Sequence, residues 1–371
     1  MSRLSAKRIA FFLATSGHSG VDRAMQHLLP ELARRGFTID LLHVKNHGPH
    51  LHQPPHGINI VDLGTRHTYS SLPAVVSYLR RTRPDVMLAD KDRVNRTALA
   101  ARWLARVQTR LVLSSGTTIS IDLANRGGFE RWLQRNSMGR LYPYADTVIV
   151  TSQGVADDMS DYTGLDRELI SVVPSPVIPD RLLDRPLPPP DHPWFHDPAI
   201  PLILSAGELC GRKDFETLIK AFATLHGARP CRLMILGRGK RRQSLLQLTE
   251  ALGIAEAVEL PGFVDSPYAY MAHADLFAFT SRWEGLGFVL IEALAVGTPV
   301  VSTDCPSGPS EILQHGRFGP LVPVGDADAL AKAMQQALDN PLPSKELRNA
   351  ARPYTVSAAT DAYLQAMGLA S

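Results

Sequence analysis

Ten prolines stand within the 28 residues from Pro174 to Pro201, and they divide the chain into two parts. Proline fixes φ and lacks an amide hydrogen, which excludes this stretch from sheet and helix interiors and is typical of an extended linker. The alternative is a long surface loop within one domain. Because 371 residues exceed what one hydrophobic core usually spans, two domains are expected.

Short apolar runs alternate with amphipathic helical patterns on both sides of the prolines, which predicts α/β domains with doubly wound parallel sheets. We expect a first domain over residues 1–176, a linker over 177–200 and a second domain over 201–353. A helix within 354–371 is expected to pack back on the first domain. Open sheets of this kind bind ligands at the carboxyl ends of their strands, so a cleft between the domains is the expected site.

Composition narrows the location and the partners. The sequence contains no stretch of about 18 uninterrupted apolar residues, so no membrane-spanning helix is predicted. Three scattered cysteines favour a reducing compartment. The first 180 residues hold 22 lysines and arginines against 16 acidic residues, a net +6. We therefore expect a cytoplasmic protein whose basic first half can contact an anionic membrane or acceptor, and no nucleic-acid partner.

Two glutamates eight residues apart flank a glycine-rich turn in the segment from Ser281 to Glu292. A predicted strand over 276–279 leads into this turn, and a helix over 288–296 follows it. Gly285 and Gly287 allow close approach of a ligand, and the helix start offers free amides suited to phosphate. The alternative is a capping Glu284 with Glu292 on a solvated face, but Glu292 is surrounded by apolar residues and needs a buried partner.

This segment resembles the E-x7-E motif of glycosyltransferase family four, and the similarity continues through residues 293–304, Gly308 and 311–313. The resemblance implies a GT-B fold and an α-retaining transfer from a nucleoside-diphosphate sugar, with UDP favoured, to a glycan or lipid-linked acceptor. We expect no metal, because lysine and arginine side chains can carry the leaving-group charge, and no other cofactor. It places Glu292 at the donor ribose and Glu284 near the sugar. The implied contacts to sugar and diphosphate are Gly285, Leu286, Gly287, Phe288 and Val289.

Arg212 and Lys213 directly precede a predicted helix, where cations oppose the helix dipole and suggest a ligand anion. Charge growing on a departing diphosphate would be stabilised by such cations in the transition state. Lys213 matches the lysine of the family, whereas Glu208 replaces its usual arginine, and Arg212 is a candidate substitute. The alternative is a solvated Arg-Lys pair.

Further donor-binding candidates follow from the family resemblance. Arg238 lies in a Gly-x-Gly turn that resembles the turn near the nucleotide in relatives. Phe263 and Val264 follow a later strand, where relatives contact the base. For Phe263 and Val264, plain core packing is the alternative. In the first domain, Gly17 and Gly20 resemble the glycine loop that faces the diphosphate.

The acceptor side is less well defined. His18 in the glycine loop can donate to a phosphate or an acceptor hydroxyl. Relatives carry a histidine near Gly116, which this chain lacks, so Ser115 and Thr117 are the candidates to orient a hydroxyl.

Residues 126–140 interleave four arginines with aromatic and aliphatic side chains. Such a basic amphipathic stretch can lie on anionic lipid, together with the basic run 80–83. The alternative is a helix that packs its apolar face on the sheet and leaves its arginines in water.

We expect a front-face displacement in which the diphosphate takes the acceptor proton, so that no protein base is required. Asp90-Lys91-Asp92 has metal-motif spacing but lies on a predicted loop of the first domain. Two alternatives remain at this stage: a nucleotide-sugar epimerase, and a catalytically silent nucleotide-sugar or glycan-binding protein, which the departures at Glu208 and Gly116 favour.

Overall fold

A computed structural model describes residues 7–15, 17, 20–51, 53–124, 126–197 and 199–370. The chain divides into two compact units, Met1–Val177 with Tyr354–Ser371, and Ile178–Pro353. Each unit contains one parallel sheet with helices packed against it, so the predicted α/β fold class is confirmed. No helix among these residues is long and apolar enough to cross a bilayer.

The first unit has a seven-stranded sheet. Its elements are β1 (Arg8–Leu13), α1 (Gly20–Arg34), β2 (Thr38–His43), β3 (Ile58–Asp62), α2 (Leu72–Thr82), β4 (Val86–Asp90), α3 (Asp92–Ala105), β5 (Arg110–Ser115), α4 (Ile119–Ala124), α5 (Gly128–Leu141), β6 (Thr147–Val150), α6 (Gln153–Thr163) and β7 (Ile170–Val172).

The second unit has a six-stranded sheet. Its elements are β8 (Leu202–Ala206), α7 (Phe215–Ala228), β9 (Arg232–Leu236), α8 (Arg242–Ala251), β10 (Val258–Gly262), α9 (Tyr268–Ala272), β11 (Leu276–Phe279), α10 (Phe288–Val296), β12 (Val300–Thr303), α11 (Pro309–Ile312), β13 (Leu321–Val322), α12 (Ala327–Asp339) and α13 (Ser344–Ala351). The chain then returns to the first unit as α14 (Val356–Ala366).

The strand β1 shows why the first sheet needs helices on both faces. Its side chains are apolar and buried along almost the whole strand, and they alternate between two hydrophobic clusters. Ile9 and Phe11 pack in one cluster with residues of α1 and α14, whereas Ala10 and Phe12 pack in the other with residues of α2 and α3. A strand buried on both faces is continuously apolar, as this one is.

Strand order defines one reversal point in each sheet. The order is β3-β2-β1-β4-β5-β6-β7 in the first unit and β10-β9-β8-β11-β12-β13 in the second. The chain builds outward from β1 to β3 and then returns to place β4 on the other side of β1; β8 and β11 are related in the same way. Loops diverge at such a reversal, leaving a crevice at the carboxyl ends of the two central strands.

The proline-rich segment 178–200 belongs to the second unit. Leu182 and Leu183 are buried, and the Nε2 of His192 lies 2.7 Å from the Oε2 of Glu259. Part of this segment is therefore packed against its own unit, although it contains no strand among its described residues.

The predicted strand over 276–279 and helix over 288–296 are confirmed as β11 and α10, with the same bounds. The strands β3 and β7 were not predicted from the sequence. Both lie at the edges of the first sheet, and β3 is partly exposed, so neither carries the continuous apolar run of a central strand.

The C-terminal helix is expected to contribute to the stability of the first unit. Met367, immediately after α14, is completely buried in the cluster that includes Ile9 and Leu28. Met367→Ala should lower the free energy of unfolding of this unit by about 3 kcal/mol, because it leaves a cavity in a packed core. Gln365→Ala, at an exposed position nearby, is the control and should change it by less than about 0.5 kcal/mol. Equal effects in urea titrations would contradict this packing.

Candidate active site

Two loops meet at the reversal point of the second sheet, one after β8 and one after β11. A short 3-10 turn over Gly211–Lys213 ends the first loop. The amide of Arg282 donates a 2.8 Å hydrogen bond to the carbonyl of Arg212, and the hydroxyl of Thr280 donates one of 2.8 Å to the carbonyl of Lys213. These bonds hold the two loops together at the carboxyl edge of the sheet.

Glu284 is the centre of this arrangement. Its Oε1 accepts hydrogen bonds from the Nζ of Lys213 at 2.6 Å and from the hydroxyl of Ser281 at 2.7 Å. Its Oε2 accepts one from the Nη1 of Arg212 at 2.6 Å. Side-chain exposure is 8% for Glu284 and 11% for Lys213, whereas Arg212 is 35% exposed. One nearly buried carboxylate thus holds two cations.

Burial alone would raise the pKa of the Glu284 carboxyl, but the charges of Lys213 and Arg212 outweigh it and hold that pKa below its usual value. The carboxylate is therefore ionised at neutral pH. One negative charge faces two positive charges, so this cluster carries a net positive charge at the loop edge.

The side chain of Lys213 is further fixed by its surroundings. Its ammonium lies 5.2 Å from the ring centroid of Phe279. The position that a Cβ would take at Gly207 lies 3.2 Å from the Cε of Lys213, so a glycine there leaves room for the lysine stem. The next residue, Asp214, has a positive φ of 48° and accepts a hydrogen bond from Thr217. Asp is among the residues that tolerate this backbone region.

Glu292, the second predicted glutamate, lies in α10 and is completely buried. The helix begins after Gly287, whose φ of 104° excludes most other residues. A Cβ on Gly308 would lie 1.9 Å from the carbonyl oxygen of Leu286, so the loop after β12 passes directly against the turn before α10. Leu286 is itself buried, and Phe288 and Val289 are half-buried at the helix start.

Arg238 and Phe263 come together at the ends of β9 and β10. The guanidinium of Arg238 lies 5.7 Å from the ring centroid of Phe263, and Phe263 is 57% exposed. The amide of Gly237 donates a 2.8 Å hydrogen bond to the carbonyl of Gly262, which fixes the two loops. The alternative of plain core packing is therefore wrong for Phe263, while Val264 is half-buried.

The first unit has its own polar cluster at the reversal point between β1 and β4. The hydroxyl of Thr15 donates a hydrogen bond to the carboxylate of Asp22, and both are buried. Asp90, the last residue of β4, is buried beside Leu13, and burial raises its pKa to about 6. Asp92 pairs with Arg96 at 2.5 Å, so the Asp90-Lys91-Asp92 motif directs its two carboxylates to different neighbours.

The other first-unit candidates lie on the same edge or outside the described residues. Gly17 is buried with a φ of 85°, and Gly20 begins α1. Ser115 ends β5 as a half-buried residue, and Thr117 is exposed. His18 lies outside the residues that the structure describes.

Two residues of the site were missed at the sequence level. Ser281 hydrogen-bonds Glu284, and Asp214 lies 3.1 Å from the Nε of Arg282. Ser281 begins the segment that contains the two glutamates, and Asp214 directly follows Lys213, but a serine and an aspartate in a loop carry no pattern of their own. The Ser281–Glu284 bond is local, between residues three apart, whereas the Asp214–Arg282 pair joins two loops that are about 70 residues apart in the chain.

Comparisons with known proteins agree with this architecture. The family described as "Glycosyl transferases group 1" matches residues 192–355, and that described as "Glycosyl transferase 4-like domain" matches residues 19–176. The chain is 30% identical over 301 residues to the lipopolysaccharide core biosynthesis glycosyltransferase LpsE of Rhizobium meliloti, and the aligned residues make up 79% of each chain. The chain therefore belongs to the same family of glycosyltransferases as LpsE.

Two further proteins extend the comparison over nearly the full length. N-acetylgalactosamine-N,N'-diacetylbacillosaminyl-diphospho-undecaprenol 4-alpha-N-acetylgalactosaminyltransferase of Campylobacter jejuni is 28% identical over 93% of this chain and 94% of its own. The crystal structure of Anabaena Alr3699/HepE in complex with UDP and glucose has a TM-score of 0.76 at 20% identity, covering 97% of this chain and 99% of its own. The latter shows that the fold is GT-B.

The ion-pair cluster predicts a pH-dependent stability. Glu284→Gln should lower the free energy of unfolding by about 3 kcal/mol at pH 7, because it leaves the nearly buried Lys213 without its counter-charge. The pKa of Glu284 is lowered by folding, so this contribution is present above the unfolded pKa of about 4.3 and is lost as pH falls through the lower, folded value. The difference between the two proteins in urea titrations should therefore shrink below about pH 4.

The matched control is Glu216→Gln, which breaks an exposed 2.6 Å pair with Arg241. Exposed pairs contribute less than about 1 kcal/mol, so this variant should remain close to the unchanged protein. A loss at Glu284 no greater than at Glu216, or one that does not vary with pH, would show that the cluster is not a buried ion pair.

Proposed function

We propose that the chain is a retaining glycosyltransferase that moves a sugar from a nucleoside-diphosphate sugar, most favourably a UDP-sugar, to a hydroxyl of a glycan or lipid-linked acceptor. The product would carry an α-linkage. The names of the relatives support the acceptor class, since one acts in lipopolysaccharide core biosynthesis and another on a diphospho-undecaprenol substrate. The complexes of HepE with UDP and with UDP-glucose support the donor.

The observation that carries this proposal is the pairing of Glu284 with both Lys213 and Arg212 at the reversal point of the second sheet. The cations are gathered by one carboxylate and keep an excess of positive charge. In the proposal, the donor diphosphate binds at this edge and forms ion pairs with the same two cations. Arg212 then provides the positive charge of the arginine that relatives carry at the position of Glu208.

The remaining donor contacts follow from the geometry around α10. In the proposal, the backbone amides of Leu286–Val289, at the turn and N-terminus of α10, contact the diphosphate and sugar. Glu292 would hold the ribose hydroxyls. The exposed ring of Phe263 beside Arg238 offers an apolar face and a cation for the base. Gly17 and Gly20 would let the first unit's loop approach the donor.

The proposed reaction is a front-face displacement. The acceptor oxygen forms a bond to the anomeric carbon while the bond from that carbon to the β-phosphate oxygen breaks, and the acceptor proton passes to the departing diphosphate. Lys213, with Arg212, stabilises the charge that grows on the phosphate, which is larger in the transition state than in the bound donor. His18, Ser115 and Thr117 are the proposed acceptor-side contacts. The proposal includes no metal and no cofactor other than the donor.

Nucleotide binding is the first test. A thermal-shift series with UDP, GDP and the corresponding sugars should show stabilisation by one nucleotide, since a ligand that binds only the native state raises its stability by RT ln(1 + [L]/Kd). UDP is expected to give the largest shift. No shift with any nucleoside diphosphate at millimolar concentration would refute the donor assignment.

Turnover is the second test. With a UDP-sugar that shifts the melting temperature, slow transfer to water should be measurable, and Lys213→Gln should lower kcat about 100-fold at saturating donor. Lys220→Gln, which removes an exposed lysine of the same unit, is the matched control and should retain full turnover. Near-normal turnover in Lys213→Gln would contradict the proposal that Lys213 stabilises charge on the departing diphosphate.

Stereochemistry tests the retaining course separately. Proton NMR of the hydrolysis of an α-linked UDP-sugar should detect the α-anomer of the free sugar first, before mutarotation. Initial release of the β-anomer would contradict retention without affecting the donor assignment.

A further inference from the structure

The helix α5 does not pack its apolar side chains on the sheet. Met138 is its only buried residue among those described. Phe129 is 76% exposed, Trp132 56% and Leu133 40%. Of the two interpretations offered by the sequence, the one that placed this apolar face against the sheet is therefore wrong.

The exposed apolar residues form one surface. The rings of Phe129 and Trp132 stack with their centroids 6.1 Å apart, and Leu133 follows Phe129 at a helical spacing of four. Exposed apolar side chains do not contribute hydrophobic stabilisation to the fold. A contiguous apolar patch with a polar rim marks an interaction surface.

A groove of about 660 Å³ runs beside this patch, between α5 and the end of α6. Three arginines line it, Arg131, Arg135 and Arg140, together with Trp132 and Tyr162. A Cβ on Gly139 would lie 2.3 Å from the carbonyl oxygen of Thr163, so the two helices touch at this glycine. The groove is thus built into the packing of α5 on α6.

The three arginines carry uncompensated charge. In the described part of the chain no carboxylate lies within 4.0 Å of them, whereas their neighbour Arg126 is paired with Glu130 at 3.2 Å. The guanidinium of Arg135 lies 5.6 Å from the ring centroid of Tyr162, which orients it without neutralising it. A partner for this surface must therefore bring negative charge.

We infer that α5 docks this chain on an anionic lipid bilayer, with Arg131, Arg135 and Arg140 binding lipid phosphates. The exposed rings of Phe129 and Trp132 would enter the boundary between headgroups and acyl chains, where aromatic residues are favoured. Charge complementarity selects a bilayer over a second copy of this chain, because a two-fold contact through α5 would bring the same unpaired arginines together. The inference rests on the proposed function in one respect only: docking would bring the protein to a lipid-linked acceptor, which is held in the bilayer.

The test is co-sedimentation of the full chain with vesicles of phosphatidylcholine alone and of phosphatidylcholine mixed with phosphatidylglycerol, at low and high salt. Binding should require the anionic lipid and weaken with salt. Each arginine near an anionic surface contributes roughly fivefold, so the triple variant R131Q/R135Q/R140Q should bind on the order of 100-fold more weakly. Phe129→Ala with Trp132→Ala should weaken binding roughly tenfold through lost apolar contact.

The matched control is K220Q/K332Q/K345Q, which removes the same number of positive charges from exposed positions of the second unit and should bind vesicles like the unchanged protein. Equal losses in both triple variants, or no preference for the anionic vesicles, would overturn the assignment of α5. The UDP-induced melting shift is measured in parallel and should be unchanged in R131Q/R135Q/R140Q. Its absence in the unchanged protein would instead refute the proposed function, so the two failures are distinguishable.

Discussion

The carboxylate of Glu284 is the interaction on which the site depends. Lys213 and Arg212 follow one strand, and Glu284 follows another, so the ion pairs tie together two loops that are distant in sequence. Two cations held by one buried anion have a fixed position and residual charge. That combination suits a ligand whose own negative charge increases during a reaction, because preorganised charges stabilise it without reorganising.

Sheet topology explains why these loops meet at all. Because β8 and β11 are neighbouring parallel strands, the loops that follow them leave the same carboxyl edge of the sheet side by side, at its reversal point. The close passages at Gly308 and Gly207 then bring backbone and side chains within van der Waals contact. The first unit repeats the plan at β1 and β4, where the hydrogen-bonded pair Thr15 and Asp22 and the carboxylate of Asp90 are all buried.

The sequence was most informative where local pattern and burial coincide. The continuous apolar run of β1, the turn before α10 and the buried Glu292 were all predictable, because each is determined by neighbours in the chain. The edge strands β3 and β7 were not, since an edge strand needs no full apolar run. The contacts of Glu284 with Arg212 and Lys213, and the outward-facing rings of α5, depend on tertiary packing that no local pattern encodes.

A crystal structure of the chain with UDP would test the central claim most directly. The account predicts that the β-phosphate lies within hydrogen-bond distance of the Nζ of Lys213, with Arg212 turned toward the diphosphate and the ribose hydroxyls at Glu292. A nucleotide bound elsewhere, with both cations still fully engaged by Glu284, would contradict it.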